Sequence, residues 1–363
     1  MKVAISCDAL TSRNYVTSIV EAFLMLFEEA EIFTLVHHEG KIIGPVEQRK
    51  IHSTYLTNVI GQEKPFGDQW WKKGLLIPGA SKNLTIPCNV DLLINVCSGF
   101  SQGFTRCKGV YQITYLVENQ FLERTPKFIR EKLFRPYLEY WAEKSLAQSD
   151  EMWLPSESSF NFWKQKVKNA SILLPFIKAS DYPLLPKGMR ENFPKDFICI
   201  DAQSVDEIKA EYICDLFKKE KIKFKFIGND EHLEKLKQKT EPQSFFGERC
   251  SGELAPLISA ARGLVSFQRK GFPARAIESL SCGTPVCLLK DSDGHKYVSG
   301  EGVFTMGVDA TEIIDIFNLM KDVDPQKVHG LSTKFHDLKF RAEVKRRIDK
   351  AQENLNNSNK ADC

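Results

Sequence analysis

Apolar residues arrive in short runs, separated by stretches with helical spacing. Lys2–Cys7 reads as a buried strand, Val16–Phe27 as a helix with Val16, Ile19, Val20, Phe23 and Phe27 on one face, and Glu31–Val36 as the next strand. Further runs at Asp91–Val96, Gln112–Val117 and Glu151–Leu154 alternate with helical stretches, the clearest being Pro126–Leu146. Alternation of this kind predicts a parallel sheet with helices on both faces. From Leu173 the chain turns proline-rich and loses its period, which predicts a linker. A second alternation then begins, with strands at Phe197–Ile200, Lys223–Ile227, Phe245–Gly247 and Leu264–Phe267 and helices at Val205–Lys219, Glu231–Lys239 and Glu253–Arg262. A charged helix, Ser332–Asn354, closes the chain before a polar tail. The expected domains are 1–173, 174–331 and a C-terminal helix and tail at 332–363.

A length of 363 residues suits two such domains, and 42% hydrophobic with 27% charged residues suits an ordinary globular chain. The formal net charge of +3 is too small to make nucleic acid the expected partner. The ten cysteines include no Cys-x-x-Cys pair, so no zinc or dithiol motif is indicated, and buried thiols in a reducing cytoplasm account for them best. No apolar segment approaches the ~20 residues that span a bilayer. The N-terminus lacks the apolar core of a signal peptide. A cytoplasmic protein is expected.

Chemistry concentrates at 262–287. There an apolar run meets a Gly-Pro turn at Gly271 and Pro273, a short helix follows, Gly283 stops it, and a second apolar run starts at Pro285. The first amides of such a helix point into the loop and suit an anion. Glu278, about one turn in, could accept two sugar hydroxyls, although a solvated helix residue is the commoner account of a lone glutamate. His37 and His38 read as loop residues. Trp70 and Trp71 with Lys72 and Lys73 read as a helix packing on its own domain, although an exposed aromatic-basic patch would suit a membrane surface.

Over nearly its whole length the chain resembles the retaining, nucleotide-sugar-dependent glycosyltransferases of the GT-B type, family-4-like relatives of bacterial mannosyl- and glucosyltransferases. The residues that carry the likeness are the first strand, loop, helix and second strand, then 90–103, 245–249, 253–262 and 278–286, in order. The resemblance implies an α/β fold of two Rossmann-like domains facing across a cleft. It implies transfer of a sugar from a nucleotide-diphosphate donor to a glycan or lipid-linked acceptor, with retention, no metal or cofactor, no nucleic acid, and at most a peripheral membrane contact.

The same resemblance assigns Glu278 to the nucleotide ribose and places Gly271, Phe272 and Gln203 at the donor, with Arg275, beside the loop, and Lys209, next to a matched position, as substitute donor-binding residues. Lys270 and Glu118 occupy the positions nearest the reacting sugar. Lys270 stands where the family has a glutamate, Pro273 where it has a glycine, and Gln203 and Ile208 where it has an arginine and a lysine that clamp the diphosphate. Ser12, Arg13, Asn14 and Tyr15 replace a glycine-rich loop, and Val117, Glu118 and Asn119 lie where a histidine is common. Positive charge would then come from Lys270, Arg275 or Lys209. With so many departures, the alternative is a non-catalytic binding or scaffolding protein on the same fold, partnering an active transferase.

Overall fold

A computed structural model describes residues 1–61, 66–117, 129–309 and 312–361. The chain divides into two compact units, one of residues 1–173 with 343–363, the other of residues 174–342.

The first unit is built on a seven-stranded, wholly parallel sheet. Its strands are β1 (Val3–Leu10), β2 (Glu31–His37), β3 (Ile51–Ser53), β5 (Leu92–Cys97), β7 (Tyr111–Leu116), β8 (Glu151–Leu154) and β9 (Ala170–Ile172), in the order β3-β2-β1-β5-β7-β8-β9. β1 and β5 are almost entirely buried, as central strands covered on both faces must be, which is why they read as unbroken apolar runs. After β1 the chain enters the Tyr15–Leu24 helix through a capping box. Asn14 Oδ1 accepts from the Thr17 amide at 3.0 Å, and Thr17 Oγ1 accepts from the Asn14 amide at 2.9 Å. Arg13 adds an ion pair with the buried Glu21 at 2.7 Å. Arg13, Asn14 and Tyr15 thus form an ordered helix start.

Two short strands, β4 (Thr85–Ile86) and β6 (Thr105–Arg106), pair in parallel apart from the main sheet. They bring Cys88 and Cys107 to a Cα separation of 5.1 Å, joined as a disulfide. This departs from the expectation of free thiols throughout. Among the described residues seven other cysteines are free and six of those are buried, as expected of small apolar side chains.

The second unit repeats the plan with six parallel strands: β10 (Phe197–Asp201), β11 (Lys223–Ile227), β12 (Phe245–Gly247), β13 (Gly263–Ser266), β14 (Val286–Leu289) and β15 (Val303–Met306), ordered β12-β11-β10-β13-β14-β15. The proline-rich stretch after Leu173 is part of this unit's fabric instead of a free linker. Ile177 donates to the Phe335 carbonyl and accepts from the Asp337 amide, Phe176 packs on Phe340 at 4.7 Å, and the buried Tyr182 takes the Ser281 hydroxyl on its carbonyl. Periodicity is blind to such extended chain, because its contacts are distant in sequence.

Among the described residues no helix is long and apolar enough to cross a membrane. Trp70 is buried, and Lys72 and Lys73 are exposed. His37 meets Glu47 at 3.3 Å, and His38 is buried with Nε2 at 3.3 Å from the Ile60 carbonyl.

Candidate functional site

Each sheet runs outward in both directions from its first strand, so its order reverses between the first and fourth strands of the main run. Such reversals open a crevice beyond the carboxyl ends of the strands, where ligands of open α/β folds bind. In the second unit the reversal lies between β10 and β13 and is marked by Asp201 and Ser266. Ser266 Oγ donates to Asp201 Oδ2 at 3.0 Å. Ser204 Oγ accepts the Phe267 amide at 2.9 Å and donates to the Asp201 carbonyl at 2.7 Å, tying the two loops together. Asp201 is 5% exposed; burial pushes its carboxyl up, with Arg275 and Ser266 acting against that rise.

In the first unit Asp8 holds the equivalent place, near the carboxyl end of β1. Its Oδ2 accepts the Ser98 amide at 2.5 Å, and its Oδ1 accepts the amides of Ser101 at 2.6 Å and Phe100 at 3.3 Å. The loop after β5 is therefore drawn across the reversal by a buried carboxylate. Burial pushes Asp8 up to about 6 despite the amides that favour its charge.

Arg275 and Glu278 belong to the Ala274–Ser281 helix, three residues apart and so on one face. Arg275 Nη1 donates to Glu278 Oε2 at 2.6 Å, and the two side chains are only 18% and 16% exposed. Tyr182 hydrogen-bonds the same carboxylate. Burial pushes Glu278 up while Arg275 and Tyr182 pull it down; burial also opposes charge on Arg275, but Glu278, Tyr182 and Asp201 hold it above its ordinary value. The guanidinium therefore remains charged inside the crevice. Gly228, at φ +93° after β11, has a backbone conformation that favours glycine, and it borders the site: a Cβ there would be in ordinary contact with Arg275 Nη2 at 3.7 Å, Gln203 Cγ at 3.8 Å and Asp201 Oδ1 at 3.9 Å. Asp201, Gln203, Gly228 and Arg275 thus meet at one point.

The loop from Gln268 to Pro273 is held from inside. Gln268 Nε2 donates to the carbonyls of Lys270 at 2.9 Å and Phe272 at 3.1 Å. The Gly271 amide, at φ +89°, donates to Asp293 Oδ2 at 2.9 Å, and the Asp293 amide returns a bond to the Arg269 carbonyl at 2.9 Å. Phe272 packs edge-on against Phe335, and Pro273 is the residue before the helix, with no side-chain cap. Arg269 and Lys270 are exposed and carry no ion pair among the described residues.

Lys209 Nζ donates to the Val308 carbonyl at 2.8 Å and lies 4.9 Å from the Phe267 ring centre, so its charge sits at the end of β13. Its neighbour Ile208 is 83% exposed. Of the residues expected at the donor site, the geometry gathers Glu278, Arg275 and Gln203 directly. Gly271, Phe272 and Lys270 line the adjoining loop. Glu118 and Asn119 lie outside the described residues. Asp201, Tyr182, Ser204 and Asp293 were not singled out from the sequence. An aspartate ending an apolar run was a visible signal for Asp201, whereas Tyr182 lies about a hundred residues from Glu278 and gave none. Among the described residues no group of three or more His, Cys, Asp or Glu is arranged to hold a metal ion.

No protein-family model and no curated protein matches the sequence. Solved structures do match it over nearly its full length. Sucrose-phosphate synthase from Thermosynechococcus elongatus is 12% identical, with a TM-score of 0.68 over 97% of this chain and 100% of that one. Anabaena HepE, solved in complex with UDP, is 12% identical, with a TM-score of 0.67 over 96% of this chain and 100% of that one. A glycosyltransferase from Rickettsia africae is 14% identical, with a TM-score of 0.60 over 97% of this chain and 99% of that one. At such identities the likeness is one of fold: an α/β chain with parallel sheets, of the GT-B glycosyltransferase kind.

Proposed function

We propose that the protein transfers a sugar from a nucleotide-diphosphate donor to a glycan or lipid-linked acceptor, with retention at the anomeric carbon. The observation that carries the reading is the buried, charged Arg275 held between Glu278 and the Asp201–Gly228 corner at the reversal of the second sheet. Support also comes from HepE, whose fold this chain shares and which has been solved with UDP and with UDP-glucose.

In this reading Glu278 accepts the two ribose hydroxyls of the nucleotide. A carboxylate has about four acceptor sites, so Arg275 and Tyr182 leave capacity for them. As the glycosidic bond breaks, negative charge grows on the leaving diphosphate, and stabilising that charge is usually the largest catalytic contribution. Arg275 supplies a fixed cation with five donors, of which Glu278 uses one. The Gln203 amide and the Lys270 ammonium, at the two neighbouring loops, add donors. The Gly271 amide already serves Asp293, so the loop presents side-chain charge in place of that backbone donor.

The test is incubation with a panel of uridine, guanosine and adenosine diphosphate sugars, with and without host glycan extracts. One donor class is expected to release its nucleoside diphosphate, faster with acceptor present, and to give a product of unchanged anomeric configuration by NMR. Arg275→Ala should slow the reaction about a hundredfold, the usual cost of one such contact, ~3 kcal/mol. Turnover of no donor under any condition would contradict the proposal.

A further inference from the structure

A cavity of about 940 Å³ in the first unit lies not at the carboxyl ends of the strands but at the opposite edge, where β7 begins and the chain enters β8. Its size lies within the usual range for small-molecule sites. The walls are braced from within. Arg106 donates to Asp150 Oδ2 at 2.5 Å and to the carbonyls of Val110 and Gln148 at 2.7 and 2.8 Å, while the same Asp150 oxygen accepts the Gln112 amide at 2.8 Å. The Cys88–Cys107 bridge pins the chain beside Arg106. Gly103 admits Trp141, since a Cβ there would come within 2.6 Å of the indole.

What these braces leave over is a set of unused groups. The ammoniums of Lys82 and Lys108, the Tyr137 hydroxyl, the Trp141 indole N–H, the Ser145 hydroxyl and the Gln148 side-chain amide make no hydrogen bond or ion pair with other described residues. Among the described residues of the wall the only acidic side chain, Asp150, is already committed to Arg106. Tyr111 lines this cavity and also a second one of about 420 Å³, whose wall carries Glu151 with Arg346, Arg347 and Lys350, a net excess of positive charge. Arg346 and Arg347 pair with Glu343, while Lys350 is exposed.

We propose that this edge is a binding site for an acidic glycan, separate from the donor crevice, with Trp141 and Tyr137 as ring platforms and Lys82 and Lys108 as anion contacts. A pyranose ring has an apolar C–H face and a polar rim, which matches aromatic faces ringed by hydroxyl and amide groups. Two unpaired ammoniums without a free carboxylate between them select a ligand carrying negative charge. The adjoining basic cavity past Tyr111 favours several sugar units over one. The transfer reading rests on the second unit and this site on the first, so either can stand alone.

The experiment is calorimetric titration of the full chain with tetragalacturonate, with its methyl ester and with UDP as comparison ligands. Tetragalacturonate should bind and the ester at least about tenfold more weakly, a difference of ~1.4 kcal/mol. Lys82→Ala/Lys108→Ala and Trp141→Ala should each weaken binding about tenfold or more. The lysine variant alters only exposed side chains, so its melting temperature should match the parent's and its loss of binding can be read directly. UDP should neither compete nor be affected by the variants. Absence of tetragalacturonate binding, binding indifferent to the lysine variant, or displacement by UDP would overturn the proposal. Loss of UDP binding alone would count against the donor site and leave this one standing.

Discussion

Arg275 Nη1 donates to Glu278 Oε2 at 2.6 Å within one helical turn, with both side chains more than four-fifths buried. This pair joins stability to the proposed function, since the carboxylate assigned to the ribose also holds the cation assigned to the diphosphate. Truncating one partner leaves the other charged and unpaired in a desolvated place. Glu278→Ala is therefore expected to cost on the order of 2 kcal/mol, read as a lower urea midpoint with unchanged slope. Glu191→Ala, which breaks a pair whose partners are 83% and 64% exposed, should leave the midpoint where it is.

Asp8 gives a pH prediction. Its folded value of about 6 lies above the ordinary 3.8. Between those values the native state binds more protons than the unfolded one, so this group's contribution to stability rises as pH falls from 6 towards 4 and levels off below. The difference in unfolding free energy between wild type and Asp8→Asn should follow that rise. A difference that is flat across the window would remove Asp8 as its source. The variant should also lose stability at neutral pH, because both Asp8 oxygens accept amides and an asparagine must turn its NH₂ towards one of them.

Two glycines separate backbone conformation from space. Gly40 and Gly283 have φ of +76° and +73°, but a Cβ at Gly40 meets nothing within 4 Å, whereas at Gly283 it would lie 2.5 Å from Leu184 Cδ1 and 2.9 Å from the Pro325 carbonyl. Alanine should cost about 1 kcal/mol at Gly40, from conformation alone. At Gly283 it should cost at least ~3 kcal/mol, because backbone cannot move aside cheaply. Equal melting temperatures for the two variants would refute the crowding at Gly283.

The Cys88–Cys107 bridge is open to direct counting. Thiol titration of the unreduced, denatured chain should find eight thiols of ten, and all ten after reduction. Ten before reduction would mean that the bridge does not form in the protein as purified.

Much of the fold was legible because its strands are buried on both faces. β1, β5, β10 and β14 read as unbroken apolar runs, and the turns around Gly271 and Gly283 punctuate them. The site was legible in part. Glu278 stood out as a lone glutamate on a short helix behind a Gly-Pro turn and Arg275 as a cation flanking that loop, both local features, whereas their ion pair is seen only in the structure. Asp201, Tyr182 and Asp293 escaped notice because their roles come from contacts across 65 to about 100 residues, or from a loop returning to another loop. The Cys88–Cys107 bridge was hidden for the same reason: it depends on two-residue strands too short to leave a pattern.

The central claim, a nucleotide site at Arg275 and Glu278, is tested most directly by thermal shift with UDP, GDP, ADP and their sugars on wild type and Glu278→Gln. One base series should raise the melting temperature of wild type, as any ligand that binds only the native state must, and the rise should vanish in the variant. No shift with any nucleotide, or a shift undiminished in Glu278→Gln, would contradict the account.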